Sequence, residues 1–211
     1  MHLVIFGGTG GTGDQLIRAA LSAGHTVTAP ARDPSRIRAS HERLHVARAD
    51  VLDRSSLPGS VEGADAVVSA LGVPGGEGPT TVYSAGVANI LEAMHTAGVR
   101  RFIGVSALPV TPRTEVSALE RFVVFPILYR FFGESYADMA RMEEVLRSSD
   151  VDWTVVRPPK LTDGPATDRY RTAVNRHLQR GRSISRADLA TAMLRLLDDP
   201  HTVRTTVSVA Y

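Results

Sequence analysis

The sequence predicts an α/β protein: a single doubly wound domain over residues 1–211, with a mostly parallel sheet and a short C-terminal substrate-side segment. Three observations predict it. Short apolar runs recur, separated by segments whose apolar residues fall at helical spacing, which is the pattern of βαβ units. The runs alternate little between apolar and polar, as expected of strands covered by helices on both faces. A glycine cluster, Gly7-Gly8-Thr9-Gly10-Gly11-Thr12-Gly13, follows the first run and leads directly into the first helical segment.

The elements follow in order. His2–Phe6 reads as a short buried strand. Residues 14–23 place Leu16, Ile17, Ala20 and Leu21 on one helical face, and Gly24 ends that helix. Residues 26–29, 44–47 and 66–70 are the second, third and fourth strands. Residues 80–97 form a long helix through Val82, Val87, Ile90, Leu91 and Met94, stopped by Gly98. The fifth strand is 101–106, an amphipathic helix spans 134–149, and the sixth strand is 153–157. A helix over 186–197 and a strand over 203–209 close the chain. Right-handed crossovers between parallel strands then favour the doubly wound arrangement. The polar stretch 160–185, broken by Gly and Pro, reads as a substrate-side loop or lid.

Composition narrows the function. Formal net charge is +2, and no Lys/Arg block tracks nucleic acid; Arg100-Arg101 merely precedes a strand. With no cysteine, disulfides, thiolate catalysis and Cys-ligated zinc are excluded. The opening MHLVIFGG enters a strand at once and carries no charged leader, which fits a cytoplasmic protein. The apolar run 122–132 contains Pro126 and Arg130 and is too short for a bilayer, so no membrane partner is expected. That run, with Tyr136 and Met139 beyond it, is expected to be a helix packed on the sheet along the acceptor side, with a dimer contact as the alternative.

The strand–turn–helix setting turns the glycine cluster into a dinucleotide-binding signature, that of a Rossmann domain. It reads as Gly7-x-x-Gly10-x-x-Gly13 or as Gly8-x-Gly10-x-x-Gly13, with the same physics. One glycine makes the tight turn, another lets the backbone approach a pyrophosphate, and Gly13 lets helix and strand pack closely. The N-terminus of the following helix offers free N–H groups to the phosphates, and Thr9 and Thr12 add hydroxyls. Asp33 lies at about the spacing of an acid that binds the ribose 2′-OH, but Arg32, Arg36 and Arg38 surround it and suit a 2′-phosphate, so NADPH is the expected cofactor. Asp50 and Val51 after the third strand are candidate adenine contacts. Ala70, Leu71 and Gly72 after the fourth lie at the carboxyl end of the sheet, where ligands bind.

The chain lacks a Tyr-x-x-x-Lys pair. Its only lysine is Lys160, and Val156 stands four residues before it. Alcohol dehydrogenase and sugar-nucleotide epimerase mechanisms of the usual short-chain kind are therefore not expected. The remaining catalytic candidates are Ser106, ending the fifth strand, and Lys160, just after Arg157-Pro158-Pro159. Ser106 could bond the nicotinamide carboxamide or the acceptor. Lys160 could stabilise developing negative charge or deliver a proton. Pro158 and Pro159 would border the cofactor. His41-Glu42-Arg43-Leu44-His45 matches the H-E-x-x-H pattern of zinc proteases, but Leu44 and His45 already belong to a strand, so the histidines share no helix face.

Taken together, GGTGGTGDQLI, ARDPSR, ADVLD, VVSALG and VDWTVVRPPKLTDGPATDRYR resemble the atypical short-chain dehydrogenases of the NAD(P)H-binding, NmrA-like group, and within it the flavin reductases of biliverdin reductase B type. The resemblance covers nearly the whole chain and is most specific at PPKLTDGP. It implies a monomer or weak homodimer with an open pocket over the nicotinamide, passing hydride from NADPH to a flat conjugated acceptor such as a flavin (FMN or riboflavin) or a quinone. By position it assigns Arg32 and Arg36 to the 2′-phosphate, Asp50 and Val51 to the adenine, and Ser106 to the nicotinamide side. Vertebrate members carry histidine where Lys160 stands, a departure that counts against a tetrapyrrole acceptor. Two other activities fit the same residues: an NADP-binding redox sensor without turnover, and a tailoring ketoreductase or quinone reductase of a biosynthetic pathway.

Overall fold

Along the first strand, Leu3 and Ile5 face one way and Val4 and Phe6 the other, and all four are buried. A strand buried on both faces needs helices on both sides, and the computed structural model, which describes residues 1–73 and 78–211, shows them. The elements in chain order are β1 (His2–Phe6), α1 (Gly11–Ser22), β2 (Thr26–Ala31), β3 (Leu44–Arg48), α2 (Pro58–Val61), β4 (Ala66–Ser69), α3 (Ser84–Ala97), β5 (Arg101–Val105), α4 (Phe125–Ser148), β6 (Asp152–Arg157), β7 (Lys160–Thr162), β8 (Arg171–Val174), β9 (Ser183–Ser185), α5 (Arg186–Arg195) and β10 (Thr205–Ala210).

The main sheet runs β3-β2-β1-β4-β5-β6-β10-β8. Every pairing is parallel except β10 with β8. The chain winds outward from β1 to β3 and then returns to β4 on the other side of β1. This reversal opens a crevice at the carboxyl ends of β1 and β4. Helices α1 and α5 cover one face through Leu16, Ile17, Leu189 and Met193, against Leu3, Ile5, Val68 and Ile103. Helices α3 and α4 cover the other through Ile90, Met94, Met142 and Leu146, against Val4, Val67, Phe102 and Val155. Each of these side chains contributes about 1.5–3 kcal/mol by leaving water.

Three departures from the sequence expectations have physical causes. Helix α3 begins at Ser84, not 80, because its cap comes from elsewhere: Asp138 on α4 accepts from the N–H groups of Tyr83 (2.9 Å) and Ser84 (3.3 Å). The stretch 160–185 is not loop throughout. It holds β7 and β9, which pair with each other, and β8, which closes the sheet edge antiparallel to β10. The run 122–132 is corrected most. It is helical, through a π turn at Glu120–Val124 and the start of α4, yet only Phe125 in it is fully buried. Phe122 (69% exposed), Ile127 and Phe131 face outward, and none of them lines the crevice. Among the described residues, no helix is long and apolar enough to cross a membrane.

The segment leading into α5 is anchored by one buried carboxylate. Asp188 accepts from Tyr211 Oη (2.6 Å), Asp168 N–H (2.7 Å), and Thr167 N–H and Oγ1 (2.9 and 2.8 Å). Burial alone would raise its pKa, but these hydrogen bonds outweigh burial and hold the carboxyl below the usual aspartate range. A lowered folded-state pKa stabilises the fold above the unfolded value, and the contribution is lost as pH falls from about 4 through the lowered one. Asp188→Asn is therefore expected to cost about 1–3 kcal/mol at neutral pH and to flatten the acid limb of stability. Thermal melts of both proteins from pH 7 to 3 check this; parallel acid limbs would refute it.

Candidate functional site

The crevice at the carboxyl ends of the strands is a cleft of about 760 Å³, and the glycine turn forms one wall through Gly7, Gly8, Thr9, Gly10, Gly11 and Thr12. The turn is tight because Gly10 N–H donates to Gly7 O at 3.0 Å. Gly7 sits at φ +82°, and a Cβ there would lie 2.3 Å from Ala70 O. Gly13 does not line the cleft. A Cβ on it would meet Gly7 O at 2.1 Å, so its absence lets α1 start directly against the turn. No side chain caps α1, whose first N–H groups therefore stay free for a ligand's oxygens.

Arg32 and Arg36 line the cleft beyond β2, both exposed. Asp33 does not line it. Its Oδ1 accepts from Ser35 N–H (3.2 Å) and Oγ (2.6 Å), which holds the carboxyl below the usual range. Asp33 thus caps the 3-10 turn that carries Arg36, and the Asp-Pro-Ser order is the local signal for that cap. Asp50 and Val51 line the cleft after β3; Asp50 Oδ1 accepts from Leu52 N–H and Val51 O from Asn89 Nδ2. Ala70, Leu71 and Gly72 line it after β4.

Ser106, Pro158 and Pro159 also line the cleft. Ser106 is buried, its N–H donating to Val156 O and its hydroxyl to Glu143 Oε1 at 2.8 Å. Lys160 is placed elsewhere: it is exposed and outside the lining, while Leu161 is within it. Successive residues of a strand face opposite ways, and β7 turns the lysine out.

Met139, expected near the acceptor side, projects from α4 into the wall. Two polar lining residues, Tyr83 and Arg186, escaped the sequence reading. Tyr83 is buried at the start of α3, and burial raises its phenol pKa, keeping it protonated. Arg186 opens α5, its Cδ 2.9 Å from where a Gly11 Cβ would stand, with Nη1 paired to Asp163 Oδ1 at 2.5 Å. Its one sequence signal is the Ser185-x-x-Asp188 cap that fixes the helix start; only the packing of α5 on α1 brings it to the glycine turn. A free turn of N–H groups, glycines that admit close approach and three flanking guanidinium groups suit a ligand carrying phosphates.

Comparison with known proteins agrees with this geometry. The family described as NAD(P)H-binding matches residues 7–200. An uncharacterized chloroplastic protein of Arabidopsis thaliana is 30% identical over 171 residues, which cover 77% of this chain and 60% of that protein. The chain thus spans about three fifths of that relative's length. A short-chain dehydrogenase/reductase of Veillonella parvula, solved in complex with NADP, superposes with TM-score 0.83 at 21% identity, over 100% of this chain and 94% of the other. ChuY of Escherichia coli O157:H7, an anaerobillin reductase, superposes with TM-score 0.82 at 21% identity, over 100% and 97%. The fold is theirs, and with the family match running from the glycine turn almost to β10, this chain belongs to the NAD(P)H-binding family.

Proposed function

We propose that the chain is an NADPH-dependent reductase of a flat conjugated acceptor such as a flavin or quinone. The observation that carries this reading is the pairing of two features of one cleft. At the end of β2, Arg32 and Arg36 line it while Asp33, bonded to Ser35 through Oδ1, lies outside the lining, so the rim turns cations toward a 2′-phosphate. At the other end the lining is Ser106, Ala107, Met139, Pro158 and Pro159, with Lys160 turned away.

The residues present fit the cofactor: the glycine turn leaves a cradle that Cβ atoms would fill, and Arg186 lies across it. When bound, NADPH supplies the hydride. The chain's own part is to bind, flatten and orient. Met139 and the two prolines give an apolar surface for a planar acceptor, and the glycine turn and Arg186 hold the phosphates. A flavin or quinone spreads the incoming charge over its own ring and takes its proton from water, so it needs no acid from the wall. That several relatives are described as reductases or dehydrogenases supports the chemistry at class level.

Oxidation of NADPH and of NADH by the purified protein, against FMN, riboflavin, menadione and biliverdin, tests the reading. Turnover with NADPH preferred is expected, and Arg32→Glu is expected to weaken NADPH by about 30- to 100-fold while changing NADH little, the effect of exchanging a charge-assisted bond for a repulsion. Tight NADP binding with no turnover on any acceptor would favour a sensor instead.

A further inference from the structure

The hydroxyl of Ser106 has one proton, and the structure shows where it goes. It donates to Glu143 Oε1 at 2.8 Å, where Ser106 is 2% and Glu143 1% exposed. Glu143 cannot return the bond. Its oxygens take Nε and Nη2 of Arg157 (2.9 and 2.5 Å) and Nη2 of Arg147 (2.8 Å), and an ionised carboxylate only accepts. The guanidinium groups have donors alone. What remains on Ser106 Oγ is lone-pair capacity, on a residue that lines the cleft.

We propose that the Glu143–Arg157 pair makes Ser106 an obligatory hydrogen-bond acceptor, so that it takes the carboxamide N–H of a bound nicotinamide and rejects a carbonyl oxygen in that place. The proposal rests on the reductase reading, which puts the nicotinamide at this end of the cleft. Ser106 touches the cofactor; Glu143 and Arg157 are positioning residues that fix the direction of its bond. The carboxamide is then held by its nitrogen and loses the freedom to turn over. Ser106 also has no proton with which to polarise a ketone. That separates this site from a ketoreductase and restricts it to acceptors that need no donor from the end of β5.

The test compares NADP+ with its 3-acetylpyridine analogue, in which a methyl ketone replaces the amide and no N–H remains. Dissociation constants are measured by calorimetry for the wild-type protein, Ser106→Ala and Glu143→Gln. The wild type is expected to favour the amide by about fivefold, the size of one neutral hydrogen bond. Ser106→Ala is expected to bind the two alike. Glu143→Gln brings an amide that can donate to Ser106 and free its proton, so its preference is expected to move toward the ketone. Ser106→Ala leaves the Glu143–Arg157 ion pair intact, and so carries the test even where Glu143→Gln fails to fold. An undiminished amide preference in Ser106→Ala, or a wild type that favours the ketone, would overturn the proposal and leave the reductase reading standing. A wild type that binds neither nucleotide would overturn both.

Discussion

Gly13→Ala is expected to abolish measurable binding of either nicotinamide dinucleotide and to destabilise the fold by more than about 3 kcal/mol. The added methyl would lie 2.1 Å from Gly7 O, 2.6 Å from Gly7 C and 2.8 Å from Gly8 Cα. All three are backbone atoms of the turn, so no side chain can rotate away. Relief requires α1 to withdraw from β1 by about 1 Å, the gap between these distances and ordinary contact. Leu16 and Ile17, fully buried on the inner face of α1, would leave their neighbours with it. The same movement would open the N–H cradle at the helix start. Gly59→Ala is the control: nothing lies within 4 Å of its added methyl, and a change within about 0.5 kcal/mol is expected. Thermal melts with and without NADPH check both effects. A Gly13→Ala protein that melts and binds like the wild type would mean that this contact does not set the helix position.

Arg157→Leu is expected to cost about 3–5 kcal/mol, the price of a buried carboxylate that loses its main partner. Glu143 would keep only the Ser106 hydroxyl and Arg147, whose side chain is 46% exposed. For a chain of this size the melting temperature should fall by on the order of 10 °C. Replacing both members, Arg157→Leu with Glu143→Leu, should recover most of the loss, because two apolar side chains leave no orphaned charge. Melting curves for the two single variants and the double variant form the cycle that isolates the pair. A double variant as unstable as the sum of the singles would show that the loss came from packing.

The parallel core was legible because it obeys local rules. The boundaries of β1, β2, β4, β5 and β6 lie within two residues of the apolar runs that predict them, since each run is buried on both faces and ends where the chain turns. Gly98 stops α3 as expected, at φ +71°. What stayed hidden depends on tertiary partners. The three-residue strands β7 and β9 carry too few residues for any period, and each exists because the other is beside it. The start of α3 is set by Asp138, more than fifty residues away.

The candidate site divides the same way. The glycine turn could be read because strand, turn and helix are contiguous. Arg186 could not, since it reaches Gly11 only through the packing of α5 on α1. Lys160 drew attention as the single lysine, but a one-residue step along β7 separates it from Leu161, which lines the cleft. The outward face of residues 122–131 defeats the rule that an apolar run belongs inside.

The cleft gathers its lining from Gly7 at one end of the chain to Arg186 near the other, one strand end at a time. The full set of contacts exists only in the folded sheet, so a dinucleotide is expected to bind the native state in preference to the unfolded chain. Its binding energy is thereby shared by every element: at a hundredfold excess over Kd it adds about 2.7 kcal/mol to global unfolding. Bound nucleotide is then expected to slow proteolysis, because proteases that cut only the unfolded chain find less of it when the nucleotide is abundant.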